Sequence, residues 1–289
     1  RKVVMAAMKD NGRALRYAAE SIKVNREVVL AAVQQNGWAL QYAADPLKAD
    51  GKVVLAAVKK DGWALRYAAE SMKADREVVL AAVEQDGCAL EDAAEPLKAD
   101  RELVLAAVEQ DGCALEYAAE PLKADREVVL EAVKKDGWAL RYASKPLKAD
   151  REVVLAAVQQ NGRVLRDLAE PLKADREVVL AAVQQDGLAL QHAAYPLKAD
   201  IEIVLASVKR TGMKVLSYAS WQLRNDTYLV RLAKNEERPI RLKEFLTYAR
   251  DMREANIKAK VDLWLTCHNN GELHHWMDAT HTGFKRRKR

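Results

Sequence analysis

Nine glycines, Gly12, Gly37, Gly62, Gly87, Gly112, Gly137, Gly162, Gly187 and Gly212, recur every 25 residues without slippage. A fixed period of this length restricts a chain to a stack of small supersecondary units, each contacting only its neighbours. The repeated unit reads Asp-Arg-Glu-Val-Val-Leu-Ala-Ala-Val-x-x-Asp-Gly-Trp-Ala-Leu-x-Tyr-Ala-Ala-Glu-Pro-Leu-Lys-Ala. Gly212 closes the first helix of the ninth copy, and one extra residue follows it. Asp226 opens a degenerate tenth first helix, 227–234.

Each unit reads as two short helices. In the second copy the first helix runs from Arg26 to Gln35. Asn25, and in later copies Asp50, Asp75, Asp100, Asp125, Asp150, Asp175 and Asp200, stands at the N-cap, where a side-chain oxygen satisfies free backbone N–H groups. Glu27, Glu77 and Glu102 suit the positive end of the helix dipole. The glycine is expected to end this helix in a left-handed cap. A second helix is expected over 38–44. Pro46, Pro96, Pro121, Pro146, Pro171 and Pro196 then disfavour α geometry in the preceding residue. Asp45 or Glu95 is expected to cap one further tight turn with the proline at its first position, Leu47 turning inward. Val28, Val29, Leu30, Ala31, Ala32 and Val33 make the first helix apolar nearly all round, so it must be buried between neighbouring copies.

The unit resembles the repeat family described as a domain of unknown function, DUF4116. The likeness rests on Gly37, Leu40, Tyr42, Ala43 and the step from Asp50 through Gly51 and Lys52 to Val53 and Val54, and covers residues 1–234. The resemblance implies a fold style and supplies no catalytic residues. The fold expected is all-α: an α-solenoid of about nine 25-residue helix–turn–helix repeats over 1–234. Residues 235–289 are expected to form a helical C-terminal cap and a basic tail. Helices are expected over 240–256 and 257–267.

Composition excludes several classes. No uncharged apolar run approaches the roughly 20 residues that span a bilayer, so no membrane insertion is expected. Three cysteines make no disulfide framework, which suits an intracellular protein, cytoplasmic or nuclear and not secreted. Of the net charge of +5, residues 235–289 contribute +4, from 12 Lys and Arg against 8 Asp and Glu. The near-neutral repeats therefore bind polyanions weakly by counterion release.

Variable residues ride on the constant framework in the pair before each Asp/Asn-Gly (Gln34-Gln35, Lys59-Lys60, Glu84-Gln85, Glu109-Gln110, Lys134-Lys135, Gln159-Gln160, Gln184-Gln185) and in two rows after the glycine. The position after the glycine carries Arg13, Trp38, Trp63, Cys88, Cys113, Trp138, Arg163, Leu188 and Met213. Three residues on stand Arg16, Gln41, Arg66, Glu91, Glu116, Arg141, Arg166 and Gln191. Arg13, Trp38, Trp63, Trp138, Arg163, Arg16, Arg66 and Arg141 are the candidate partner-binding residues. Tryptophan and arginine dominate binding energy at interfaces, and here they line one edge. Lys285, Arg286, Arg287, Lys288 and Arg289 form a candidate tail for an anionic partner. Cys267, His268, His274, His275 and His281 do not have the spacing of a known zinc module, so no metal or cofactor is expected. Stacking should hold the Cα atoms of Cys88 and Cys113 beyond disulfide reach, about 7 Å.

No nucleophile–base arrangement stands out and no small-molecule substrate is evident, so the first expectation is a non-enzymatic protein-interaction scaffold or structural subunit with a protein partner. The alternative is a nucleic-acid-associated repeat protein anchored by the basic tail. A third is the targeting arm of a larger enzyme, since Arg1 falls at the start of a unit and further repeats or another domain could precede it.

Overall fold

The computed structural model describes residues 2–226, 229 and 230. These contain nine copies of the unit and no strand. Each copy has three segments where the sequence suggested two helices and a turn. In the second copy they are a long α-helix, Arg26–Gln35, a 3₁₀ helix, Gly37–Tyr42, and a single helical turn, Asp45–Lys48. The tenth first helix lies largely, and the cap and basic tail wholly, outside the described residues.

The long helix begins as expected. Asn25 accepts from the Val28 amide, and Asp50 accepts from the Lys52 and Val53 amides. Its end differs. Asn36, not Gly37, stops the helix in extended conformation (φ −147°, ψ 110°), and its side chain caps the following 3₁₀ helix by accepting from the Trp38 amide. One aspartate or asparagine thus ends one helix and starts the next. The short turn has no side-chain cap. Asp45 is its first residue and Pro46 its second, and the amide of the preceding Ala44 donates instead to the Lys23 carbonyl of the copy before.

None of the nine period-setting glycines adopts the left-handed α cap. Gly212 is the one described glycine with positive φ (77°), at the site of the inserted residue. The others are needed for proximity. A Cβ on Gly62 would lie 2.5 Å from the carbonyl oxygen of Ala82, in the long helix of the next copy.

Long helices stack on long helices and 3₁₀ helices on 3₁₀ helices. Each 3₁₀ helix also packs on the long helix of its own copy and of the next. The core lies between these layers, in Val53, Val54, Ala57, Val58, Ala64, Leu65 and their equivalents, which are buried from the second copy on. Small side chains allow this close stacking; a single copy has too little to bury and is stable only in the array.

Two inter-repeat devices fix the register. The first is a backbone bond of the Ala44-to-Lys23 type, repeated at Ala69–Lys48, Ala94–Lys73, Ala119–Lys98, Ser144–Lys123 and Ala194–Lys173, at 2.8–2.9 Å. The second is a ladder of ion pairs along the N-terminal ends of the long helices. Arg26 Nε donates to Asp50 at 2.6 Å, and Arg76 bridges Asp100 at 2.7 Å and Glu102 at 2.8 Å. Arg101, Arg126, Arg151 and Arg176 repeat the bridge to the acids of the next copy. The arginine beside each cap holds the carboxyls of Asp50 and Asp100 below their ordinary range.

Candidate interaction surface

The 3₁₀ geometry joins the two variable rows into one. With three residues per turn, positions i and i+3 eclipse, so the residue after each glycine and the one three later share a face. Arg66 stacks over Trp63 at 5.2 Å and Arg141 over Trp138 at 5.7 Å. Trp–Arg pairing at this spacing is a cation–π contact built into a single turn. In the first copy Arg13 and Arg16 are both exposed, with Arg16 over Tyr17 at 5.7 Å.

The side chains after the glycines also face inward along the stack. Trp38 donates its indole N–H to Asp61 at 2.5 Å, and its ring meets Tyr67 edge-on at 5.6 Å. The thiols of Cys88 and Cys113 donate to Asp111 at 3.3 Å and Asp136 at 3.2 Å, and Arg163 Nε donates to Asp186 at 2.7 Å. Indole, thiol and guanidinium share one property at this position: each donates to the carboxylate that caps the next 3₁₀ helix. Cys88 and Cys113 are free. Burial, reinforced by the neighbouring aspartate, pushes both thiols up to about 12.

The face divides by charge. Copies one to three present Arg13, Arg16, Trp38, Trp63 and Arg66. Copies four and five present Glu91 and Glu116, flanked by Tyr117 and Tyr142. Burial, with Glu91 next, pushes the Tyr117 hydroxyl up to about 12. Copies six and seven return to Trp138, Arg141, Arg163 and Arg166, and Arg166 lies over the same Trp138 ring at 5.4 Å.

Between copies six and seven the stack opens. The backbone bond that Ala169 would make to the Lys148 carbonyl is absent, and a groove of about 470 Å³ lies there. The cause can be read from side-chain volume. Val164 and Leu168 stand where alanine stands in the copies on either side, Ala139 and Ala143 before them and Ala189 and Ala193 after. Both are buried, so they wedge the two 3₁₀ helices apart. The short turn changes sign at the same joint. Glu20, Asp45, Glu70, Glu95, Glu120 and Glu170 each pair with the lysine three residues on. In copy six that acid is Lys145, so Lys145 and Lys148 have no carboxylate partner among the described residues. Sequence reasoning missed this groove; the signal was the coincidence of Val164, Leu168 and Lys145 against the consensus.

No cluster of three or more His, Cys, Asp or Glu able to hold a metal ion occurs among the described residues. Cys267, the four tail histidines and Lys285–Arg289 lie outside them. None of the described helices is long and apolar enough to cross a membrane.

A triple-segment helical unit stacked nine times defines a helical-repeat solenoid. The model of the family described as "Domain of unknown function (DUF4116)" matches residues 1–48, 50–98, 75–123, 100–148, 125–173 and 175–224, and the chain belongs to that family. No curated protein and no solved structure matches it significantly.

Proposed function

We propose that this chain is a non-enzymatic interaction scaffold that holds a protein partner against the face formed by its 3₁₀ helices. The observation that carries this reading is the stacking of Trp63 with Arg66 and of Trp138 with Arg141 on the face formed by the 3₁₀ helices. Cation–π pairs present large, partly desolvated surfaces of the kind that anchor interfaces. The acidic middle at Glu91 and Glu116 argues against a nucleic acid running the length of that face. Residues 1–234 carry the binding function in this reading. A reducing compartment, cytoplasmic or nuclear, suits the unpaired thiols of Cys88 and Cys113.

The test is capture from native extract with and without nuclease, followed by mass spectrometry. A stoichiometric protein partner that survives nuclease is expected. Loss of every partner on nuclease treatment overturns the scaffold in favour of nucleic-acid binding through Lys285–Arg289. Recovery of a covalently continuous catalytic domain upstream of Arg1 would make these repeats a targeting arm.

A further inference from the structure

We propose that the groove between copies six and seven receives a short acidic segment of a protein partner, one apolar side chain entering the groove and flanking carboxylates meeting Arg141, Lys145 and Lys148. This deepens the scaffold reading and rests on it. Three observations converge at this joint. Val164 and Leu168 wedge the stack apart, breaking the Ala169–Lys148 backbone bond that other junctions keep. The space so opened has an apolar floor, which includes Leu140 and Leu168, and Trp138 stands at its side. Its rim carries three cations, Arg141, Lys145 and Lys148, with no carboxylate partner among the described residues. The one acid lining it, Asp167, is already engaged by Arg166 at 2.9 Å.

Charge complementarity selects the occupant, and its extent selects the length. The unpaired positive field spans one joint. Beyond it lie Glu116 on the 3₁₀ face, and Glu120 and Glu170 on the short turns. A polyanion continuing past the joint meets these carboxylates, whereas a segment of about six residues does not. Six extended residues cover roughly 20 Å, the span of two copies stacked at roughly 8–10 Å each. The Trp138 ring is covered by two guanidiniums at 5.7 and 5.4 Å, which leaves it poorly placed to stack on a base.

The experiment measures anisotropy of a labelled hexapeptide, Glu-Glu-Leu-Leu-Glu-Glu, on the full chain. Its Gln-Gln-Leu-Leu-Gln-Gln analogue and a single-stranded RNA hexamer are the comparison probes. The acidic peptide is expected to bind at least tenfold more tightly than either, and to weaken as salt rises. The double variant Arg141→Gln, Lys148→Gln is expected to lose at least tenfold in affinity with an unchanged melting midpoint. Lys52→Gln, exposed on the long helix of the third copy and away from the 3₁₀ face, should change nothing. No binding of the acidic peptide, equal binding of its glutamine analogue, or RNA binding as tight as the peptide's overturns the proposal. Capture with the double variant separates the two readings: a nuclease-resistant partner still retained removes the groove but leaves the scaffold.

Discussion

Replacing Gly62 by alanine tests the account of how the repeats are spaced. The added Cβ would lie 2.5 Å from the Ala82 carbonyl oxygen, against about 3.3–3.6 Å for a tolerated carbon–oxygen approach. Copies three and four must therefore separate locally by about 1 Å. The Ala82 oxygen cannot yield alone, because it accepts from the Gln85 and Asp86 amides at 3.1 and 3.0 Å. Moving it disturbs the end of its helix and the buried contact of Val53, Val54 and Ala57 with Val78, Val79 and Ala82. Overpacking of this kind costs about 1–3 kcal/mol, and the lost unfolded-chain freedom of glycine returns about 0.4–1 kcal/mol. The rigid obstacle puts the first figure at its upper end, for a net loss of about 2 kcal/mol. With a slope of about 2–3 kcal/mol per molar urea, the midpoint followed by circular dichroism should fall by roughly 0.7–1 M. Gly62→Asn should lose at least as much, since it also carries a Cβ. Gly51→Ala is the control, because its Cβ meets nothing closer than Met72 Sδ at 3.9 Å, and it should be neutral or stabilising. If Gly62→Ala leaves the midpoint unchanged, or Gly62→Asn is tolerated much better than alanine, the glycine serves a left-handed conformation and the steric account fails.

Other expected outcomes follow from the same contacts. The carboxyls of Asp50 and Asp100, held low by arginine, contribute stability that is present above their unfolded value of about 3.9 and lost as pH falls through the lower folded value. The gap in urea midpoint between the wild type and Arg76→Gln should accordingly narrow from pH 7 to pH 2.5; a constant gap counts against the ladder. Asp92 has the opposite sign: burial raises its carboxyl and outweighs the lowering by Arg66, 3.6 Å away. Its contribution is lost as pH rises, so Asp92→Asn should raise the midpoint at pH 7 and lose that advantage in acid. Cys88 and Cys113, pushed up to about 12, should react with iodoacetamide at pH 8 more slowly than a free thiol until urea unfolds the chain; mass spectrometry of tryptic peptides reads each site. Restoring alanine at Val164 and Leu168 together should close the groove and slow hydrogen exchange at the Ala169 amide, and an unchanged rate would mean another cause opens the joint.

The sequence makes the stack legible because period, capping and burial are properties of one unit. Asn25 and Asp50 cap as their positions imply, and Val28, Val29, Ala31, Ala32 and Val33 are buried as their apolarity requires, while Leu30 is only half-buried. What it hides belongs to pairs of units. Six residues from Gly37 to Tyr42 are too few for hydrophobic spacing to separate three residues per turn from 3.6, so the shared face of Trp63 and Arg66 is invisible until the helix type is known. Gly62 looks like a helix terminator because such glycines are common, whereas its actual neighbour, the Ala82 carbonyl, lies 20 residues away. The groove is hidden further still, since it depends on two alanine positions being filled in one copy and on a charge reversal at the edge of the copy before.

The arginine ladder has two gaps in the sequence, Gly51 and Ile201. From Arg76 to Arg176 each copy grips the next, but nothing at Gly51 reaches towards Asp75 or Glu77. In an array whose units touch only their neighbours, tension is carried through every joint in series, and extension gathers where a joint is softest. Among the described residues two joints keep only one of the two devices, the third–fourth the backbone bond and the sixth–seventh the ladder, so a chain pulled by its ends should part at these before the joints that keep both. The same residue that leaves the ladder incomplete would thus mark one of two mechanical fuses.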